Sequence, residues 1–444
     1  MNLRIAALIL LPCCVTGQAI AQGRTVSRLF WQDNATQTVH YGDLKKQKDG
    51  WRIEVCDLPG HPTIDPDEQS LVQMQTADQM IVVGVRDHSE GDFGSGWFAI
   101  DSGLQEESHG DHSHWRYSSQ PVVTAQLIDE HQGNPAHVYR YGESFVLAND
   151  AKNGFTVIPA DRLRGLENPG QAGMFLSGGK GHITLALVEN RVAYATYIDS
   201  EGDDKGRVDV VGLGDRVGHG YSIQCPTGTL HGATVNCGKV FLAPADGICW
   251  VRADVNLAQD PDSVQVHHLS LGSDENGKSL RTGALTCCVD HVLFTAGKGQ
   301  HSKLCLLNAA SDQPSVTQIA IPVEETHKLM SPLPVTTATG KRLAVMFSES
   351  VDDASSDQLW VADLDPDGDG DFSDAQIAAP IDVGPSQIVG HAGHHSAASL
   401  AGGRQLVISN PGDSSIWVLS LTDFSVLAKL SVEGNPIRLL ALGN

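Results

Sequence analysis

Bases are scarce in this chain. Its 30 lysines and arginines face 53 aspartates and glutamates, a formal charge of −23 over 444 residues. That surplus repels the phosphates of nucleic acid and anionic lipid headgroups, so neither is expected as a partner, and it favours cations without naming one. Long apolar runs are scarce too. Past residue 12 nothing approaches the roughly 18 uninterrupted apolar residues of a membrane span, and no membrane insertion is expected. Helical periodicity is almost missing. So are a nucleophile elbow, a Ser-His-Asp order in a recognisable setting, and a dinucleotide or phosphate loop.

What is present begins with Met1 to Arg4, an apolar run from Ile5 to Pro12, and "TGQAIAQG", which offers a small-x-small cleavage site ending at Ala21. This pattern predicts a secretory signal peptide over residues 1–21 and a mature, soluble, exported chain from Gln22. Cys13 and Cys14 could suggest lipidation, but Pro12 stands where a lipoprotein signal needs a small residue. The mature chain keeps seven cysteines: Cys56, Cys225, Cys237, Cys249, Cys287, Cys288 and Cys305. An odd number leaves at least one thiol unpaired within the chain, and the pairing itself cannot be read from spacing.

From Arg28 onward, short runs rich in Val, Ile, Leu, Phe and Thr alternate with Gly, Asp, Asn and Pro clusters, which predicts an all-β fold. The runs also repeat. Units opening at Ser70, Pro135, Gly181, Leu230, Thr282, Met330 and His394 share one plan: an apolar strand, a polar turn, a second apolar strand and another turn. A period of about 40–50 residues marks a β-propeller, and these units predict seven blades in a single domain over residues 22–444. The ring is expected to close through both ends, "NPIRLLALG" lying near "RLFWQDNATQTVHYGD". Cys237 and Cys249 occupy nearly the same blade positions as Cys288 and Cys305, which leaves repeat ancestry and an intrablade disulfide both open.

In a propeller the innermost strand of each blade starts at one rim of the central channel. The residues that lead these strands include His137, His182, His231 and His395. A lone histidine there would commonly hydrogen-bond nearby backbone. Four at equivalent positions predict a metal site, because convergence of several ligands is what tetrahedral coordination demands. His327, His391 and His394 stand close by as supporting groups. "HGDHSH" adds His109, Asp111, His112 and His114, an imidazole and carboxylate set suited to zinc and its first-row neighbours. It is expected to fold over the same rim, as a second site or as a lid.

"HGDHSHWRY", "NPAHVYRYGESFVLAND", "CPTGTLHG" and "GHHSAA", in this order on a propeller frame behind a signal peptide, resemble the AztD family of periplasmic zinc metallochaperones. The family's His-Gly-Asp-His stretch falls on His109 to His112, its Pro-Ala-His on Pro135 to His137, and its Cys-Pro and Leu-His-Gly elements on Cys225, Pro226 and Leu230 to Gly232. The chain departs from the family pattern at Ser108, where an acidic residue is expected, and at the "GGKG" before His182. The resemblance implies a periplasmic carrier that holds Zn2+ and passes it to the solute-binding protein of a zinc ABC importer. His137, His231 and His395, helped by His182 or a loop ligand, would hold the ion, while His109, Asp111, His112 and His114 capture or pass it. A monomer is expected. Imidazole also suits copper and nickel, so the residues alone do not fix the metal.

"DLDPDGDGDFSDAQ" is a different signal. Asp365, Asp367, Asp369, Gly370 and Asp371 follow the spacing of an EF-hand-type calcium loop, with Gln376 in place of the bidentate Glu. This acidic insertion, about residues 365–376, predicts structural Ca2+. Two rival functions stand beside the carrier: a metal-dependent propeller hydrolase of the lactonase kind, which would need an open zinc position and a nearby acid or base, and a non-catalytic interaction propeller.

Overall fold

The computed structural model describes residues 23–89, 92–110, 113–350, 357–378, 380–388 and 393–443. The expected signal peptide lies outside them, as do Asp111, His112 and His391. Runs such as Met80–Asp87 and Ser144–Asn149 are apolar almost throughout, because each is the second strand of a sheet covered on both faces. The edge strand Val426–Ser431 lies at the periphery and is largely exposed.

These strands build eight blades, not seven. The seven repeats are seven of them: blade 2 starts with Gln69–Ala77, blade 3 with Pro135–Tyr141, blade 4 with Leu185–Val188, blade 5 with Ala233–Asn236, blade 6 with Thr286–Cys288, blade 7 with His327–Leu329 and Leu333–Thr336, and blade 8 with Ser396–Ser399. The two chain ends, expected to close one of the seven, form a sheet of their own. In this blade 1, Pro436–Leu442 is innermost and Arg24–Asp33, Thr38–Gln47 and Gly50–Cys56 follow outward. The ends pair antiparallel, with Leu29 opposite Ala441 and Phe30 opposite Leu440, and the Ser27 hydroxyl donates to Leu442 O at 2.8 Å. Three N-terminal strands are a blade's worth, which is why the count rises by one.

Neighbouring blades share cores. Tyr194, Val208 and Val210 of blade 4 pack with Val240, Leu242 and Val251 of blade 5. Cys225 and Cys249 are both buried in this core, while Cys237 is exposed; Cys288 and Cys305 are buried in two different interblade cores. Neither intrablade pair is bridged, and all seven thiols are free.

Because strands alternate in direction, the start of every innermost strand and the end of every second strand lie on one face, called here the upper face. Connections from third to fourth strands lie on the lower face. The hairpin Gln105–Ser108 with Ser113–Arg116 joins the third and fourth strands of blade 2, and so lies on the lower face. There Tyr117, just beyond it, donates its hydroxyl to the carbonyl of Gly443, at the far end of the innermost strand of blade 1.

Candidate metal centre

His137, His182 and His231 come together on the upper face, from blade 3 and from the segments that lead into blades 4 and 5. The Nε2 atoms of His137 and His182 are 2.9 Å apart, and ring centroids lie 4.7 Å apart for His137–His182, 4.9 Å for His182–His231 and 6.3 Å for His137–His231. Each ring is steadied through Nδ1. His182 Nδ1 meets the Asp150 carboxylate at 3.1 Å, His231 Nδ1 meets the Gly283 carbonyl at 3.2 Å, and His137 Nδ1 meets the Gln73 amide nitrogen at 3.3 Å. A carbonyl or carboxylate accepting from Nδ1–H leaves the Nε2 lone pair of His182 and His231 free to ligate, the usual outer arrangement of a zinc-bound imidazole.

His137 differs. Gln73 accepts from the Val138 N–H through Oε1 at 3.0 Å, so its amide nitrogen faces His137 and donates to Nδ1. The His137 proton therefore sits on Nε2 and is given to His182. Metal binding through Nε2 needs the other tautomer, with the proton moved to Nδ1 and Gln73 turned so that its Oε1 accepts it. Burial, then the charges of His182 and His231, push His137 down to about 3, and burial also lowers His231. Both rings are neutral at physiological pH, as a ligand must be.

The geometry is not that of a loaded site: the ligand nitrogens of the three rings do not all come within 4.8 Å of one another. Tetrahedral zinc with bonds of about 2.0–2.1 Å holds its nitrogens roughly 3.4 Å apart, so His137 and His182 open slightly and His231 closes in. The Asp150 carboxylate is also 4.0 Å from Arg86 Nη1 and accepts from Ile183 N–H at 3.0 Å, which fixes it against the strand.

His395 reaches the same face but joins a separate buried network. Its Nδ1 meets Ser409 O at 2.9 Å and its Nε2 meets Asp357 Oδ2 at 3.2 Å, while the ring stacks on Phe347. Two acceptors require two N–H donors, so this ring is an imidazolium and has no lone pair for a metal. Burial opposes the charge, but the hydrogen bond to Asp357 and the nearby Glu349 carboxylate outweigh it and raise His395 above its ordinary value. Burial likewise opposes ionisation of Asp357, yet His395 and the N–H groups of Ser350 and Ser386 hold it below the usual carboxylate range. Glu349, fully buried, accepts from the N–H of Gly393, His394 and His395 at 2.6, 2.9 and 2.9 Å. His327 stands 3.8 Å from Asp357, and His394 3.7 Å from Glu349. The ring expected from His137, His231 and His395 is thus a trio of His137, His182 and His231, with His395 serving a structural ion pair.

The His-rich loop also lands elsewhere. His109 and His114 face each other across the blade 2 hairpin, ring centroids 5.1 Å apart, on the lower face and away from the trio. Its described residues do not cover the upper rim; Asp111 and His112 lie outside the described residues. Asp365, Asp367 and Asp369 do converge, with ligand oxygens within 4.8 Å of one another, at the lower end of blade 7. Asp371 caps the short helix Phe372–Asp374 instead, accepting from Ser373 N–H at 2.9 Å. Asp374, two residues before the short strand Gln376–Ile377, has its carboxyl raised, first by burial and then by the charges of Asp367, Asp369 and Asp365. Sequence reasoning missed Gln73, Asp150, Glu349 and Asp357. The signal for Asp150 was its place at the end of a second strand, which the propeller topology sends to the upper rim.

The chain spans nearly all of two solved structures of AztD from Citrobacter koseri. The apo form is 16% identical with a TM-score of 0.62, covering 95% of this chain and 98% of that one. A second AztD structure is 18% identical, also at 0.62, covering 95% and 99%. A putative 6-phosphogluconolactonase from Bacteroides uniformis is looser, 12% identical with a TM-score of 0.45 over 94% of this chain and all of that one. No family model matches the sequence, and no curated protein does. The fold is therefore a β-propeller similar to that of AztD.

Proposed function

We propose that this protein is a periplasmic zinc carrier that holds Zn2+ on His137, His182 and His231 and hands it to the solute-binding protein of a zinc ABC importer. The observation that supports this reading above others is the anchoring of the three rings: imidazoles from consecutive blades converge, and their Nδ1 atoms are held from outside. Three neutral protein ligands leave a fourth position open, so a partner's ligand enters before the last histidine leaves. Zinc has no redox chemistry, and none is needed. His109 and His114 act on the lower face as an independent, weaker metal-binding element. The Asp365 loop takes Ca2+ as a brace. Residues 1–21 are removed on export, and the carrier works as a monomer without turning over a substrate.

The deciding experiment measures zinc per chain after dialysis against a moderate chelator, for the native protein and for a His137→Ala, His182→Ala, His231→Ala variant. One zinc kept by the native protein and lost by the variant is expected, followed by transfer to a zinc-free solute-binding protein. Equal retention by both sinks the assignment.

A further inference from the structure

Five of the seven thiols are scattered. Cys56 lies in blade 1, Cys288 and Cys305 sit in different interblade cores, Cys237 donates to Asp290 Oδ1 at 3.4 Å, and Cys287 donates to Val235 O at 3.4 Å. Cys225 and Cys249 belong to different blades yet are buried together in one core, 1% and 0% exposed. Topology brings them there. Cys225 follows directly on Gly218–Gln224, the fourth strand of blade 4, which ends at the upper face. Cys249 is the third residue of Gly247–Arg252, the third strand of blade 5, which starts at that face.

The chain on either side of the pair is tied together by hydrogen bonds. Thr227 Oγ1 donates to Asp246 Oδ1 at 2.5 Å and Ala245 N–H to Gly228 O at 3.0 Å, so the residues just after Cys225 run beside those just before Cys249. Farther along, His231 N–H donates to Ala243 O at 3.0 Å and continues the seam. Hydrogen bonding with the Cys249 thiol, then burial, raises Cys225 well above its ordinary value. Cys225 is therefore a protonated thiol in the folded chain, and a buried thiol of that kind is inert to exchange.

We propose that Cys225 and Cys249 are a disulfide site that links blade 4 to blade 5 when the chain folds in an oxidising compartment. The oxidant is a disulfide, small or protein-borne. The thiolate of one cysteine attacks it, releasing one of its sulfurs as a thiol and leaving a mixed disulfide; the thiolate of the other cysteine then displaces the second sulfur. Two S–H bonds are lost, one S–S bond forms, and the oxidant takes up two electrons and two protons as a pair of thiols. Because the folded pair is sealed from solvent, this exchange belongs to the chain before blades 4 and 5 close, and the finished bond is shielded from reductants. The loop it closes carries His231, so the same bond restrains the segment that presents this ring. The inference does not depend on whether the trio holds zinc.

Differential alkylation tests this. The full chain is refolded from guanidinium chloride in a buffer of glutathione and glutathione disulfide, quenched in acid, unfolded and blocked with iodoacetamide. Bridged sulfurs are then reduced and tagged with a second alkylating reagent. Among the cysteines from Cys56 onward, the tag is expected on Cys225 and Cys249 alone. Before reduction, a tryptic peptide of residues 217–239 joined to one of residues 240–252 should appear, its fragments placing the link at Cys225 and not at Cys237. Refolding with the disulfide should give a Tm about 5 °C above that reached in excess reductant, and Cys225→Ser should abolish the difference. Blocking of both positions by the first reagent in a chain with native circular dichroism, a link to any other cysteine, or a Tm equally sensitive to reductant in Cys225→Ser would each overturn the proposal. Where refolding fails, the same mapping decides on chain isolated already folded from an oxidising compartment.

Discussion

At the scale of single residues, the trio is tuned by what stands behind it. Asp150 holds the His182 ring through Nδ1, whereas Gln73 presents the wrong amide atom to His137. Asp150→Asn should lower zinc affinity by about 10–100-fold, read by competition with a chromophoric chelator, while Gln73→Glu should raise it by accepting a proton from Nδ1. If both changes leave affinity unmoved, the rings do not ligate through Nε2. His395 makes the opposite prediction. Its folded pKa is raised, so its contribution to stability is full below the unfolded value of about 6.5 and fades as pH rises through the folded value; Asp357, lowered, contributes above about 3.8 and fades in acid. The loss of Tm in His395→Gln should therefore be larger at pH 5.5 than at pH 9, with zinc content unchanged. An equal loss at both pH values would mean that the ring is neutral.

Among elements, legibility followed periodicity. The strands and the repeat were readable because runs such as "SFVLAN" and "VAYAT" are apolar on both faces, and the same repeat put four histidines on one face. It could not show which of them share an acceptor. His395 was lost to Asp357, thirty-eight residues away in sequence and brought near only by the sheet. The His-rich hairpin was misplaced for a topological reason: it follows a third strand, and third strands end on the lower face. Replacing residues 105–116 with a short turn should thus leave the zinc held by the trio intact and remove only weakly bound metal, measured by metal content before and after chelator dialysis. Loss of the tightly held ion would put the hairpin back at the upper rim. The acidic loop offers a sharper test. Asp365 is tied to Arg342 at 3.5 Å, and Asp367 and Asp369 converge with it. Calcium should raise Tm in the native protein and fail to do so in Asp367→Asn, Asp369→Asn; a native Tm indifferent to calcium would make this an ordinary acidic turn.

For the whole molecule, the eighth blade matters more than its place in the count. A ring of sheets leaves an exposed edge wherever it opens, and here the opening is sealed by seven residues from one end of the chain, Pro436–Leu442, lying against the strand Arg24–Asp33 from the other. Leu439 and Leu442 are buried in that seam, each worth about 1.5–3 kcal/mol on burial, alongside the strand hydrogen bonds. Ending the chain before Pro436 should therefore lower the urea midpoint steeply. Trp31, fully buried on the strand that the missing segment covers, should report the loss by an early fluorescence change. The trio sits in blades 3 to 5, apart from that seam. If the propeller unfolds as one unit, zinc is released at the same urea concentration as the Trp31 change. If blades unfold as neighbours in a row, zinc stays bound past it. The shared interblade cores favour the first outcome, because no blade has a core of its own to fall back on. Zinc held well beyond the Trp31 transition would refute it.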